Sequence, residues 1–529
     1  MPSLQVSLAA LTVLIVAYIL LSHFQQRNRE LPLPPGPPQL PFFGNATQLL
    51  GKNMITVFDQ WAEEYGPVVY LRMFGQPVIV LNSAEAADDL LEKRHKNYDG
   101  RPNSILASTA MQGDMMMPFI HANDRFRRVR KLVNTELRPT AVTENFNPVQ
   151  TVEVHKLVNH IIHGPSNWKN HISTCMGSIL TTAVYDKPLR GGKETEGIIK
   201  DVIRLNDELI NAIDSGQNYV DFLPFLQYVP GIPYKAKAAA YYQLAERTYK
   251  ALMDEAKANF EAGKSAKGIA ARLLEKESKG GDSRVKITTG GDEDGDGDGE
   301  PDYREQYWAL AAFYLAGSDT QSIASQSLIL ALALHPDIMK KAQDEVDKVV
   351  GSDRVPSFAD EPNLPYIKAL TKEVLRWRPT GPVTIPHASI ESDNYKGYFI
   401  PAGAMVIPNV WTMQQDPKIY PEPEKFDPER YVRTPNLPVH AFGFGRRGCP
   451  GRRVGEQTLF LEFATIAWAL HVSRAKDPQT GEDIPLNSDR ETGFSPVGLL
   501  EPLPFKVSIT PRSEERTKLL ERVVESEEI

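Results

Sequence analysis

Cysteine is nearly absent from this chain of 529 residues: Cys175 and Cys449 are the only two. Two thiols cannot build a disulfide framework, and their scarcity fits a reducing, cytosolic environment, so a free cysteine needs another explanation. Excess positive charge is also absent. The formal net charge of -8 excludes wholesale binding to nucleic acid or anionic lipid, although local basic patches remain able to dock acidic partners. No segment repeats, which rules out a solenoid. From Met1 to Gln26 there is no Asp, Glu, Lys or Arg.

That uncharged stretch is itself informative. Leu4 to Phe24 is almost wholly apolar, close to the ~20 residues a membrane-spanning helix needs. It lacks the basic start and small-residue cleavage site of a signal peptide. Residues 1–26 are therefore expected to be a transmembrane anchor, and Arg27 and Arg29 place the rest of the chain on the cytosolic side. Residues 27–44 form a basic, proline-rich linker; its prolines, from Pro32 to Pro38, forbid a helix and predict a semi-rigid spacer. Asn45-Ala-Thr47 fits a glycosylation sequon that would stay unmodified in the cytosol.

The remaining composition, 41% hydrophobic and 24% charged, is that of a folded body. Ile55 to Tyr65 reads as a helix, and Pro67–Met73 with Gln76–Leu81 as a hairpin. Helical patterning dominates from Arg125 to Leu274, Tyr303 to Arg378 and Arg453 to Leu470. Short strands are expected near Ile385–Ile390, Tyr398–Ile400 and Phe505–Ile509, so the fold class is mainly α with small β-sheets. The run 278–301, rich in Gly, Asp and Glu, cannot bury apolar surface and predicts an acidic flexible loop. Asp294, Asp296, Asp298, Gly299 and Glu305 match the spacing of a calcium-binding hand, but Pro301 stands where such a loop places an aliphatic residue and no second hand follows. Residues 512–529 form a charged C-terminal tail beyond a body of 45–511.

The chemistry concentrates in Phe442-Gly-Phe-Gly-Arg-Arg-Gly-Cys-Pro-Gly451. Its glycines permit tight turns against a flat ligand, and the apolar run after it predicts a buried helix whose amino terminus favours the Cys449 thiolate. A second element, Ala316-Gly-Ser-Asp-Thr320, lies inside the long helix Tyr303–Leu334, where the Thr320 hydroxyl can bond a preceding carbonyl and open the helix locally. A third, Glu373-Val-Leu-Arg376, sets opposite charges three apart, with Phe426-Asp-Pro-Glu-Arg430 downstream.

Together these motifs resemble the cytochrome P-450 family over essentially the whole chain. The resemblance implies a single catalytic domain around a buried haem b, with Cys449 as the axial ligand whose electron density assists O–O cleavage. Gly317 would relieve crowding over the iron, and Asp319 and Thr320 would relay protons. Phe442 belongs to the haem-binding loop, Arg130, His387 and Arg447 would neutralise the haem propionates, and Glu373, Arg376 and Arg430 would form a structural triad. Phe126 stands where the family usually has tryptophan; it can pack but cannot donate an indole N–H.

The segments implied to face the substrate, 104–119, 308–316, 381–385 and 494–499, are apolar, with Met111, Met115, Met116 and Met117 offering soft surface to a lipophilic substrate. The expected partner is the NADPH-dependent cytochrome P-450 reductase, steered by the basic clusters Arg125–Lys131 and Arg446–Arg453. The expected location is the endoplasmic reticulum membrane, with one span and the body in the cytosol. The chain looks most like fungal members that tailor terpenoids or polyketides in secondary metabolism. Hydroxylation is the leading reaction; desaturation or rearrangement by the same haem, or non-catalytic haem binding, are the alternatives.

Overall fold

The computed structural model describes residues 31–189, 193–213, 219–222, 224–264, 267–279, 301–495 and 498–527. The apolar stretch 1–26 and nearly all of the acidic run 278–301 lie outside them. Among the described residues no single helix is long and apolar enough to cross a membrane.

In chain order the helices used below are α1 (Met54–Tyr65), α2 (Asp124–Glu136), α3 (Asn147–His163), α4 (Trp168–Tyr185), α5 (Lys193–Ile213), α6 (Tyr219–Phe222), α7 (Pro233–Glu261), α8 (Ile269–Lys279), α9 (Tyr303–Leu334), α10 (Pro336–Val349), α11 (Pro365–Trp377), α12 (Glu429–Arg433), α13 (Arg452–Ala469) and α14 (Glu514–Glu527). Local sequence sets their limits. Helix α9 begins in a capping box, the Asp302 side chain accepting from the Glu305 amide at 2.7 Å while the Glu305 carboxylate accepts from the Asp302 amide at 3.4 Å. It stops at His335 because Pro336 opens α10. Glu305 also binds Arg128 at 2.7 Å, while Asp294, Asp296, Asp298 and Gly299 of the calcium-hand spacing lie outside the described residues.

One core joins α3, α4, α9, α10, α11 and α13 through side chains such as Ile172, Leu328, Leu370 and Phe463. A second joins α4, α5, α7 and α9 through Leu180, Leu205, Tyr249 and Trp308. Strands β1 (Val68–Met73), β2 (Gln76–Leu81), β3 (His387–Ala388) and β6 (Met405–Pro408) form a sheet in the order β1-β2-β6-β3, with β2 and β6 parallel. Its two faces follow the period of a strand: Val69, Leu71, Val78 and Val80 pack on Phe58 and Trp61 of α1, whereas Ile79 and Leu81 pack on Leu90 and Phe444. Strands β4 (Asp393–Tyr395) and β5 (Tyr398–Ile400) make a two-residue hairpin with Lys396 and Gly397 at positive φ. Strand β7 (Leu470–Arg474) leaves α13 directly and pairs with β8 (Val507–Pro511).

Two sequence expectations change, and a third, the unmodified sequon, gains a second reason. The proline-rich segment is not a free spacer: Pro35 O accepts from Tyr70 N at 2.9 Å and Pro32 O from Phe399 N at 2.8 Å, laying residues 32–35 along the β-lobe. Asn45 is fully buried, its amide donating to Pro37 O and Pro38 O at 3.3 Å and its carbonyl accepting from Arg72 N at 2.9 Å. The sequon is therefore inaccessible whichever side of a membrane it occupies. The charged C-terminal tail is helix α14, whose Leu520 and Val524 bury against the body while Glu527 accepts from His155 Nδ1 at 3.1 Å.

Candidate active site

The loop 442–451 is shaped by contacts that only glycine tolerates. Gly445 lies at φ 60°, and a Cβ there would meet Leu91 O at 2.1 Å. The Cys449 amide donates to Phe442 O at 2.7 Å and the Gly448 amide to Gly445 O at 3.0 Å, closing the loop just before α13. Phe442 packs beside Gly455 on α13 and under Arg452. Cys449 sits deep among protein atoms, yet its side chain keeps open surface, so it faces an internal cavity. Cys175 is enclosed in the main core and donates to Glu153 O at 3.3 Å.

The thiol departs from expectation. Burial pushes Cys449 above its usual value, although the Gly451 and Arg452 amides at the start of α13 and the Arg130 charge pull the other way. Desolvation outweighs the helix terminus in the metal-free chain, so a bound cation would favour the thiolate here, with the thiol proton leaving to water.

Cations converge beside this cysteine. Arg130 on α2 donates to Gly448 O at 3.0 Å and touches Met117 Sδ at 3.9 Å. Arg447 donates to Asp99 O at 2.9 and 2.6 Å, and its buried Nη1 has no partner among the described residues. Burial lowers Arg447 to about 10. His387 on β3 donates from Nδ1 to Tyr98 O at 2.9 Å, and burial drives it down to about 3, so it is neutral. Phe126 has a role that the sequence comparison with tryptophan did not suggest: its ring lies 3.7 Å from the Arg447 guanidinium carbon, a cation–π contact that orients this arginine.

One residue was missed from the sequence. Arg101 is buried and binds only carbonyls, Pro118 O at 2.7 Å, Ile385 O at 2.8 Å and Pro386 O at 2.7 Å. Burial lowers it well below the usual value, with Arg447 adding repulsion. A lone arginine before Pro102 carries no local signal, since its partners lie far along the chain. Arg101, Arg130 and Arg447 together make a buried positive cluster in which Asp99 is the nearby acid. The unpartnered Arg447 Nη1 is what an anionic group of a flat cofactor, held against Cys449, would satisfy.

On α9, Ala316 stays exposed within a mostly buried helix. Thr320 Oγ1 donates to Ala316 O at 2.8 Å, as expected, but the helix is continuous through 316–320, so the expected local opening is not formed. Asp319 accepts from Asn206 Nδ2 on α5 at 2.6 Å, and burial with the nearby Asp207 raises it above an ordinary carboxylate. Gly317 makes a contact that the sequence did not announce: a Cβ there would meet Leu180 Cδ1 on α4 at 2.8 Å, so glycine lets the two helices approach. Met111, Met115 and Met116 are also buried in the second core rather than offering open surface. On the segments expected to face substrate, Phe119, Phe313, Val383 and Ile385 keep apolar surface open.

The triad residues meet. Glu373 and Arg376 on α11 are fully buried and joined by two bonds of 2.7 and 2.8 Å, while Arg430 on α12 donates to Glu373 at 3.2 Å. Asp427 N adds a fourth bond at 2.8 Å. The first basic cluster is mostly consumed internally, Arg125 and Arg128 binding Glu305 and Arg127 binding Asp124. Lys131, Arg446 and Arg453 stay exposed.

Known proteins resemble this chain over most of its length. The family profile described as Cytochrome P450 matches residues 34–486. A cytochrome P450 monooxygenase of Armillaria gallica is 36% identical over 525 residues, covering 96% of this chain and 95% of the relative. Another from Postia placenta is 33% identical, covering 92% and 90%. One from Coprinopsis cinerea is 31% identical, covering 97% and 99%. The solved structure of a zebra fish cytochrome P450 with abiraterone superimposes with a TM-score of 0.67 at 21% identity, covering 87% of this chain and all of that one.

Proposed function

The chain belongs to the cytochrome P450 family, monooxygenases that carry a cysteine-ligated haem, and within that activity we propose the following division of labour among its residues. Cys449 would ligate the haem iron through its thiolate. The observation that carries this is its accessible side chain beside the Arg130 charge, in a loop whose shape demands glycine and which also carries the unpartnered Arg447 Nη1. When bound, the haem supplies activation of dioxygen for insertion into a substrate. Arg130, Arg447 and Arg101 would hold its propionates by charge-assisted bonds, whereas neutral His387, its one N–H committed to Tyr98 O, lines the site without a proton to donate to them. Phe126 fixes Arg447 by stacking, and Phe442 backs the cysteine loop.

On the opposite wall, Asp319 and Thr320 handle protons. Asp319 binds its proton more tightly than an exposed carboxyl because burial disfavours its charge, and Asn206 holds it toward α5. Turning from Asn206 to the Thr320 hydroxyl brings that proton to Oγ1, which now rests on Ala316 O. Asp319→Asn and Thr320→Val are expected to leave haem binding intact and divert reducing equivalents to peroxide. The Glu373, Arg376 and Arg430 triad keeps α11 and α12 in register under the cysteine loop.

The open apolar residues Phe119, Phe313, Val383 and Ile385 favour a lipophilic substrate. On the likeness of the sequence motifs to fungal tailoring enzymes, the reading extends to secondary metabolism, with oxidation of a terpenoid or polyketide skeleton as the leading reaction. Residues 1–26 are proposed as a single anchor in the endoplasmic reticulum membrane, followed by the linker 27–44 and the cytosolic body. Exposed Lys131, Arg446 and Arg453 near the cysteine loop suit an acidic NADPH-dependent reductase.

The direct test is the Soret spectrum of the reduced protein with carbon monoxide. A strongly red-shifted band that vanishes in Cys449→Ala is the expected result. Haem bound with an unshifted band in the wild-type protein would overturn the assignment.

A further inference from the structure

The cysteine loop is seated on a segment from far earlier in the chain. Gly445 has its α-carbon against the Leu91 carbonyl, with φ at 60° and no room for a side chain. Leu91 belongs to a wide, π-type helical turn, Asp88–Lys93, a form that recurs at functional places. From that turn the Glu92 side chain reaches back over the contact, and its Oε1 accepts from the Gly445 amide at 2.6 Å. A backbone N–H on a carboxylate makes a bond about twice as strong as a neutral pair.

Both sides of this bond are held in place. The wide turn is closed by Arg94 N on Asp89 O at 3.2 Å, and the Asp89 carboxylate accepts from Tyr395 O–H at 2.9 Å and pairs with Lys93 at 2.7 Å. Leu90 and Leu91 share an apolar cluster with Phe444, so the residue before Gly445 is anchored as well. Beyond Gly445 the loop has a second fastening, the Arg447 guanidinium on Asp99 O at 2.9 and 2.6 Å. Segment 92–99 therefore grips the turn 445–447 at its first amide and at its last side chain. The two grips differ in kind: Asp99 is buried and offers a neutral carbonyl, whereas Glu92 is exposed and offers a carboxylate.

We propose that Glu92 is a positioning residue for the iron ligand: by holding the Gly445 amide it fixes the turn from which Arg447, Gly448 and Cys449 follow, and so the place from which the sulfur meets the iron. The effect is carried along the loop by Gly448 N on Gly445 O at 3.0 Å and by Arg130, which donates to Gly448 O at 3.0 Å. Glu92 acts only through this turn and touches neither haem nor substrate. The inference rests on the haem reading above.

The test uses the full-length holoprotein, reduced and saturated with carbon monoxide, and follows the decay of the red-shifted Soret band to the unshifted one in a fixed, mild concentration of guanidinium chloride. Glu92→Ala should speed that decay about tenfold, the worth of one hydrogen bond to a charged group. Glu92→Asp keeps the charge on a side chain too short to reach Gly445, and should decay as fast as the alanine form. Glu92→Gln keeps the length and an acceptor, and should restore most of the lifetime. In the ferric proteins the iron–sulfur stretch, read by resonance Raman, should broaden in the Ala and Asp forms and stay sharp in the Gln form, with the apparent Tm moving by no more than about 2 °C. Glu85→Gln, which removes an exposed acid paired with Lys396 away from the loop, should match the wild type throughout. Wild-type decay in Glu92→Ala, an unchanged iron–sulfur stretch, or an Asp form that matches the wild type while the Gln form decays like Ala, overturns the proposal. A missing red-shifted band in the wild type would instead sink the haem reading, so the two failures are distinguishable.

Discussion

Glu462 offers a quantitative test of how this core is built. It lies on α13 at zero exposure, facing α9, where Ser325 Oγ donates to Oε2 at 2.6 Å and Oε1 has no partner among the described residues. Its other titratable neighbours are the Cys175 thiol and, beyond it, Glu153, so no cation offsets its charge. Burial pushes it from 4.5 up to about 8. In the unfolded chain it titrates near 4.5, so between 4.5 and 8 the folded form alone holds the proton. Stability from this group is therefore full below 4.5, falls as pH rises through the window, and levels off above 8. A gap of about 3.5 pH units corresponds to about 5 kcal/mol. For a body of this size, with an unfolding entropy of about 1 kcal/mol/K, that is a Tm change of about 5 °C.

Glu462→Gln keeps the Ser325 bond and removes the titration. The assay is the apparent Tm of holoprotein from pH 5 to 8.5 at one scan rate. The wild type and variant should match near pH 5 and separate toward pH 8.5, the variant being more stable by about 5 °C. Parallel curves would refute the argument, showing that Glu462 is ionised in the fold or reached by water.

Three further outcomes follow from the geometry. Glu373→Gln leaves two buried guanidinium groups without their shared carboxylate and should cost about 3–5 kcal/mol, read as a lower denaturation midpoint and poor haem retention. Phe126→Ala removes the ring under Arg447 and about 2 kcal/mol of a desolvated cation–π contact; haem transfer to apomyoglobin should speed up, and Phe126→Trp should restore the wild-type rate. Gly317→Ala drives a methyl toward Leu180 and should cost about 1–3 kcal/mol, with Leu180→Ala recovering part of it in a double-mutant cycle; additivity would show that the two helices do not constrain each other there.

The loop around Cys449 was legible because its geometry is local: glycines, cysteine and the start of α13 are contiguous, and each turn depends on a residue type at a fixed offset. The long helix α9 was legible for the same reason, with a capping box at one end and Pro336 at the other. Contacts across the fold were not. Arg101 meets carbonyls 17 and about 285 positions away, and nothing near it in the chain announces that. The helix-terminus argument for Cys449 named a real effect but could not weigh it against burial, which depends on neighbours from other elements. Three of the four methionines read as a soft lining, Met111, Met115 and Met116, are buried in the second core, a placement set by partners on other helices.

What the sequence determined by itself, then, were the pieces whose physics is short-ranged: the glycine-shaped cysteine loop, the capped and proline-ended helices, the alternation of the β-lobe, and the family to which their combination points. Tertiary structure decided which charges are buried, which are paired, and which face the cavity. Glu305 became an internal anchor for Arg128, the C-terminal charges became a docked helix, and Arg447 came to rest on Phe126. The reason is that desolvation and pairing energies depend on what surrounds a group in space, and for these residues the surroundings arrive from distant parts of the chain.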